Sequence, residues 1–95
     1  MVRRGLRSGS NTMAEEREVL AEISLYRYHI RKTREAIMEL EDDLANEQDR
    51  IHLLSGAEKR RSKCEQKELK GLIAMGRGDV GRYERWTKRL RRALP

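Results

Sequence analysis

Isoleucine or leucine recurs at every seventh residue through the middle of this chain. The first core position of the repeat is occupied by Ile23, Ile30, Ile37, Leu44 and Ile51. The second core position is occupied by Val19, Tyr26, Leu40 and Leu54, with Thr33 and Glu47 as exceptions. A repeat of 3.5 residues over five heptads is typical of a supercoiled helix, whereas a helix on a globular core drifts at 3.6. The pattern predicts one long helix from Thr12 to about Leu54.

Composition favours an oligomer. Apolar residues make up 37% of the chain and charged residues 40%, with no Phe and one Trp, so a compact monomeric core would be thin. A helix of about 42 residues would extend ~63 Å at 1.5 Å per residue, longer than a domain of this size is wide. We therefore expect a second copy to cover the seam, in a homodimer or higher oligomer. Parallel and antiparallel pairing of the copies both remain open.

The boundaries of the first helix carry recognisable signals. Thr12 and Glu15 fit a capping box. Gly56 can take the left-handed conformation that closes a helix, and Ser55 with Glu58 forms a second capping box. A break this short predicts an antiparallel helical hairpin. The alternative is a continuous helix with a tolerated glycine.

The second half predicts two further helices. Helix two is expected over residues 57–75, and three glycines in the next residues should end it. Asp79 is a suitable N-cap for a short third helix over residues 79–94. The predicted fold is all-α, a coiled-coil-like hairpin with a short third helix, in a homodimeric four-helix bundle. Residues 12–95 form its single domain, and residues 1–11 are predicted to be a disordered basic arm or a cloning remnant.

Charge is unevenly distributed, with a net value of +6. Residues 35–58 hold eight acids, and folding back at the turn sets residues 41–49 opposite residues 63–72. Glu47, a charge at a core position, would then lie near Lys63 or Lys67. Such exposed pairs contribute only ~0–1 kcal/mol each, so they select the register of the hairpin more than they stabilise it.

Signals of enzymatic chemistry are absent. His29 and His52 lack metal-ligand spacing with Cys64, the single cysteine, and no glycine-rich phosphate loop is present. We predict no catalytic residue, metal or cofactor. The lone cysteine fits a reducing compartment, and no apolar run approaches the ~18 residues of a membrane span. A cytoplasmic protein without membrane contact is expected.

Basic residues recur at helical spacing in three segments. The stripes are Arg27, Arg31 and Arg34; Arg60, Lys63, Lys67 and Lys70; and Arg82, Arg85, Arg89 and Arg92. Rows of Lys and Arg at this pitch can follow a phosphate backbone, and without base-reading motifs they indicate recognition by shape and charge, as for double-stranded RNA. The alternative is a solvated face, or salt bridges to the acidic block.

Two apolar sets lie outside this basic pattern. Tyr83 and Trp86 can stack on bases, but their shared stripe with Val80 and Leu90 favours packing. A second contact surface, suited to joining two hairpins, is predicted from residues outside the heptad seam. These are Leu25, Tyr28, Met38 and Leu53.

The predicted order of elements resembles that of the B2-type suppressors of RNA silencing from nodaviruses. The similar elements are residues 12–54, 55–56, 57–75 and 79–94. The resemblance is architectural, rests on no shared motif and carries over no site residue. It implies a dimer of hairpins that lies along double-stranded RNA in the host-cell cytoplasm. The Arg-rich, Phe-free composition is similar to that of overlapping viral reading frames.

Sequence-independent binding of nucleic acid, double-stranded RNA first, is therefore the leading functional prediction. The basic stripes would hold phosphates, and binding should weaken steeply with salt. The rival prediction is a coiled-coil scaffold or adaptor whose partner is another protein.

Overall fold

The computed structural model describes residues 9–94 as an antiparallel hairpin of two long helices. Helix α1 spans Gly9–Arg50, a single 3₁₀ turn spans Ile51–Leu53, and helix α2 spans Gly56–Arg92. The molecule measures 73 × 21 × 14 Å, so it is one helix thick and two helices wide. The predicted all-α helical hairpin is confirmed. Neither α1 nor α2 has an apolar stretch of the length and hydropathy needed to cross a membrane.

Helix α1 begins before the residue at which the sequence predicts its start. It starts at Gly9, so Thr12 is a helical residue and the predicted start of the helix at Thr12 is wrong. Extending an established helix by a few residues costs little, because each added residue brings its own backbone hydrogen bond. Of the predicted basic arm, residues 9–11 belong to α1 and residues 1–8 lie outside the described part.

The turn lies where the sequence places it. Gly56 has a φ of 58°, the left-handed conformation that a glycine adopts without steric cost. Ser55 is the N-cap of α2 in an extended conformation, but its side chain makes no capping hydrogen bond. The Leu54 amide donates to the Ile51 carbonyl at 3.1 Å and closes the 3₁₀ turn. The turn prediction is therefore confirmed, without the predicted second capping box.

Helix α2 continues through the glycines, so the separate third helix from Asp79 is wrong. Gly76 lies on the seam, where an added Cβ would meet Ile37 Cγ1 at 2.9 Å. The glycine thus permits close approach of the two helices. A glycine costs about 1 kcal/mol of helix propensity, but a helix held by tertiary packing tolerates that cost. Asp79 forms an ion pair with Arg82 within the helix.

The heptad seam of α1 is covered by α2 of the same chain. Ile37, Ile73 and Val80 form the core cluster, and Ile23 is only 5% exposed. The other predicted seam residues are half-buried, namely Tyr26, Ile30, Leu40, Leu44, Ile51 and Leu54. The sequence therefore identified which residues are covered, and the hairpin itself supplies the covering helix. Pairing with a second copy stays a prediction.

Candidate nucleic-acid interface

Heptad register assigns each exposed residue of the hairpin to one side. Positions a and d form the seam, with position a at Ile23 on α1 and at Ile73 on α2, each repeating every seven residues. Two ion pairs join the helices. They are Arg34 to Glu84 at 2.7 Å and Arg77 to Glu41 at 2.6 Å. All four residues are at position e, so the e positions of both helices share one side, and the b positions flank them.

The side formed by positions e and b is strongly basic, and we call it the basic face. Its Lys and Arg residues are Arg17, Arg27, Arg31, Arg34, Arg60, Lys63, Lys67, Lys70, Arg77, Lys88 and Arg91. The acids at these positions in the described chain are Glu41 and Glu84, and both are in the ion pairs between the helices. The face therefore presents a large excess of positive charge.

One end of the basic face is a groove of about 670 Å³ lined by both helices. The terminal cluster, as we name its cations, consists of Arg27, Arg31, Arg34, Lys88 and Arg91. Arg31 also lies 5.5 Å from the centroid of the Tyr28 ring, a cation–π contact that orients the guanidinium. The first predicted stripe thus joins cations of α2 that the sequence analysis did not select.

The other end of the face carries the second predicted stripe. The turn cluster, as we name it, consists of Arg60, Lys63, Lys67 and Lys70, all exposed on α2. Thr33 and Ile37 of α1 lie against Gly76 of α2. On this alignment the midpoints of the two clusters are about 19 residues apart along the hairpin, roughly 29 Å at 1.5 Å per residue. This separation is somewhat shorter than one turn of duplex DNA, ~34–36 Å.

The third predicted stripe does not belong to this face. Arg82 and Arg89 are at position c, and Arg85 and Arg92 are at position f on the back of α2. The prediction selected them because it treated residues 79–94 as an independent helix. An unbroken heptad count from Leu69 to Leu94 would have selected Lys88 and Arg91 instead.

The aromatic residues other than Tyr28 are packed against one another away from the basic face. Tyr26, Tyr83 and Trp86 have ring centroids 5.6–5.7 Å apart, and His29 stacks on Tyr83 at 5.4 Å. The predicted preference for packing over base stacking agrees with these contacts. Trp86 remains 39% exposed, at position g, on the side opposite the basic cations.

At the turn end of the seam, the Glu47 carboxylate interacts with side chains close to it. Arg50 donates to the Glu47 carboxylate at 2.8 Å. This hydrogen bond is the main cause that lowers the pKa of Glu47, and a hydrogen bond from the buried Ser62 adds to it. The same contact raises the pKa of Arg50. Arg50 and Ser62 are thus the partners of this core carboxylate, and the structure gives no ion pair between it and Lys63 or Lys67.

Within residues 9–94, no group of three or more His, Cys, Asp or Glu side chains is arranged to hold a metal ion. Cys64 is a free, exposed thiol. On the described surface, the cationic clusters therefore give the clearest indication of a binding partner, and that partner would be anionic. Comparisons with protein-family models, with curated proteins and with solved structures each found no match to this chain.

Proposed function

We propose that this protein binds nucleic acid independently of sequence, with double-stranded RNA as the leading ligand. The observation that carries the proposal is the meeting of basic stripes from both helices on one face of the hairpin. Lys and Arg on a duplex release condensed counterions, and this release drives sequence-independent binding. A row of cations along a rigid hairpin suits a regular phosphate backbone.

The charge of the basic face is largely available to a ligand. Among its eleven cations, the ion pairs between described residues engage only Arg34 and Arg77. Arg34 belongs to the terminal cluster, whereas Arg77 lies between the two clusters, and the two pairs neutralise both acids of the face. The other four cations of the terminal cluster and all four of the turn cluster have no ion pair among the described residues. Each cluster can therefore make several phosphate contacts.

A duplex fits this arrangement better than a single strand. The spacing of roughly 29 Å between the clusters, at 1.5 Å per residue, lets both contact phosphates of one duplex that lies along the hairpin. Proteins that bind single strands add aromatic platforms for the bases, whereas Tyr26, Tyr83 and Trp86 pack at the seam and on the other side. The ring of Tyr28 is in contact with Arg31 and Lys32. The preference for RNA over DNA, a viral origin and a role in suppressing RNA silencing rest on the resemblance to B2-type suppressors.

Fluorescence anisotropy with labelled duplex RNA, duplex DNA and single strands tests the proposal. We expect duplex RNA to bind most tightly and its affinity to fall steeply between 50 and 200 mM salt, as counterion release requires. Replacing Arg60, Lys63, Lys67 and Lys70 by Ala should lower the slope of log affinity against log salt by ~3–4. Unchanged affinity in a folded variant would show that the turn cluster is only a solvated surface.

The competing proposal is a coiled-coil scaffold or adaptor that binds another protein. It is favoured by large apolar side chains left exposed on the hairpin, including Leu53 at 85% exposure. The same titration separates the two proposals. Absence of binding to every nucleic acid at low salt supports the scaffold and contradicts the basic-face assignment.

A further inference from the structure

The side of the hairpin formed by positions g and c differs from the basic face, and we call it the opposite face. Its exposed apolar residues are Leu25, Leu53, Leu72, Met75 and Trp86. Its acids are Glu15, Glu18, Glu22, Glu39, Asp43, Glu58, Glu65, Glu68 and Asp79, and its cations are Lys32, Arg50, Arg61, Arg82 and Arg89. A surface with apolar residues and charges of both signs can complement another surface of the same kind.

The accessible surface of the hairpin is large enough for such a contact. Its accessible surface is 7497 Å², against about 5,700 Å² expected for a compact monomer of this mass. A standard interface buries about 800 Å² on each partner. The excess therefore exceeds what one stable contact between two copies requires.

We infer that two copies of this chain associate through their opposite faces, antiparallel, about a twofold axis at Ala36. In this register Glu22 meets Arg50 of the second copy, and Lys32 meets its Glu39. Each contact occurs twice, because a twofold interface is self-complementary. Ala36 is small and exposed, so α1 can approach its own copy closely at the centre.

The same axis determines the register of the second helix. Gly76 lies against Thr33 and Ile37, so the axis passes Met75 of α2. The exposed Met75 then meets its own copy at the centre, and Glu68 lies opposite Arg82 of the second copy. One register thus matches opposite charges on both helices and brings the two exposed Met75 side chains together.

Alternative alignments lose this complementarity. Sliding the second copy by one heptad sets Glu39 against Glu39 in one direction and Lys32 against Lys32 in the other. A parallel arrangement sets Asp43 against Glu68 and Arg50 against Arg61. Like charges directly opposed are unfavourable, and such charges select partner orientation in helical assemblies. The antiparallel register centred on Ala36 is the one in which the charges of α1 match.

The inference is independent of nucleic-acid binding, because it uses the other side of the molecule. Two copies joined in this way leave their basic faces on the two outer surfaces of a four-helix bundle. Association can therefore be measured without any ligand, and its failure would not contradict the proposed function.

Disulfide trapping tests the centre of the interface. In the full chain with Cys64→Ser, an Ala36→Cys variant should form a disulfide-linked dimer on mild oxidation, since the two Cβ atoms meet at the axis. The matched control is Ala45→Cys, an exposed alanine on the basic face of the same helix, which should stay uncrosslinked. Equal crosslinking of both variants, or crosslinking at Ala45 alone, would overturn the inference.

Charge exchange tests the register. Lys32→Glu and Glu39→Lys each create two like-charge contacts per dimer, so each should raise the dissociation constant roughly 10-fold or more by sedimentation equilibrium. The double variant restores opposite charges and should return near the original value. Circular dichroism checks that the variants stay helical. A double variant as weak as the singles, or an original chain that stays monomeric at high micromolar concentration, overturns the inference.

Discussion

The basic face and the opposite face lie on either side of one apolar seam, yet they differ in nearly every property. Positions e and b hold eleven cations and two acids, whereas positions g and c hold nine acids and five cations together with five exposed apolar residues. Along the sequence these charges form blocks that suggest pairing of an acidic segment with a basic one. In the folded hairpin the heptad position of each residue, more than its segment, determines which surface it joins.

The largest expected effect concerns Gly76, which permits the close approach of the two helices between the two faces. Gly76→Val should destabilise the hairpin by about 2–3 kcal/mol, because even its Cβ would lie 2.9 Å from Ile37 Cγ1. Gly78 has open space at its Cβ, so Gly78→Ala should stabilise the hairpin by about 0.5–1 kcal/mol. Thermal unfolding monitored by circular dichroism measures both. Equal effects of the two changes would contradict packing of Gly76 on the seam.

Gly76 also shows why part of the fold could not be predicted from local helix propensity. Three glycines in a short stretch predict a break on propensity alone, but Gly76 occupies a seam position where only a small residue fits Ile37. The heptad spacing that continues through Val80 to Leu94 was present in the sequence and contradicted the break. Tertiary packing therefore overrode local propensity, and as a consequence the arginines predicted for the third stripe lie outside the basic face.

The second prediction compares cations on the same segment of α2. Lys88 and Arg91 are on the basic face, whereas Arg85 and Arg92 are on the back of the helix. Replacing Lys88 and Arg91 by Ala should weaken duplex binding roughly 10- to 50-fold at 0.1 M salt, with a slope smaller by ~2. Replacing Arg85 and Arg92, which removes the same net charge, should change affinity by less than about 3-fold. A larger loss of affinity on replacing Arg85 and Arg92 than on replacing Lys88 and Arg91 would support the residues predicted from the sequence.

The third prediction compares two leucines of similar exposure. Leu72 is 48% exposed on the opposite face, and Leu20 is 52% exposed at position e on the basic face. Leu72→Glu should raise the dissociation constant of the dimer about 10-fold, because it places a second carboxylate against Asp79 of the second copy. Leu20→Glu should leave association unchanged and weaken duplex binding slightly. Sedimentation equilibrium and anisotropy, applied to both variants, give the two readouts.

The smallest effect concerns pH and the seam between the faces. The pKa of Glu47 is lowered from its ordinary value of 4.5 by Arg50 and Ser62. Its carboxylate therefore stabilises the hairpin above that ordinary value, and the contribution is lost as pH falls through the lowered pKa. Glu47→Gln should flatten the loss of thermal stability with acid below about pH 4.5. An unchanged acid dependence would show that other carboxylates account for it.

The seam and the turn could be predicted, because a strict heptad repeat and a glycine at a short break each have one strong structural meaning. What covers the seam could not, since an apolar stripe is satisfied equally by another chain or by a later part of its own. The common face of the first two basic stripes also required the structure. Their relative orientation depends on how α2 rotates against α1, which the Arg34–Glu84 and Arg77–Glu41 ion pairs define.

The central claim is that nucleic acid lies against one face of this hairpin and not the other. A photoreactive side chain placed at Ala74, at position b between the two basic clusters, tests it against the same side chain at Ala36 on the opposite face. We predict that irradiation with duplex RNA crosslinks RNA to the Ala74 variant and not to the Ala36 variant. Crosslinking of RNA to Ala36 at equal or greater yield would contradict the assignment of the two faces.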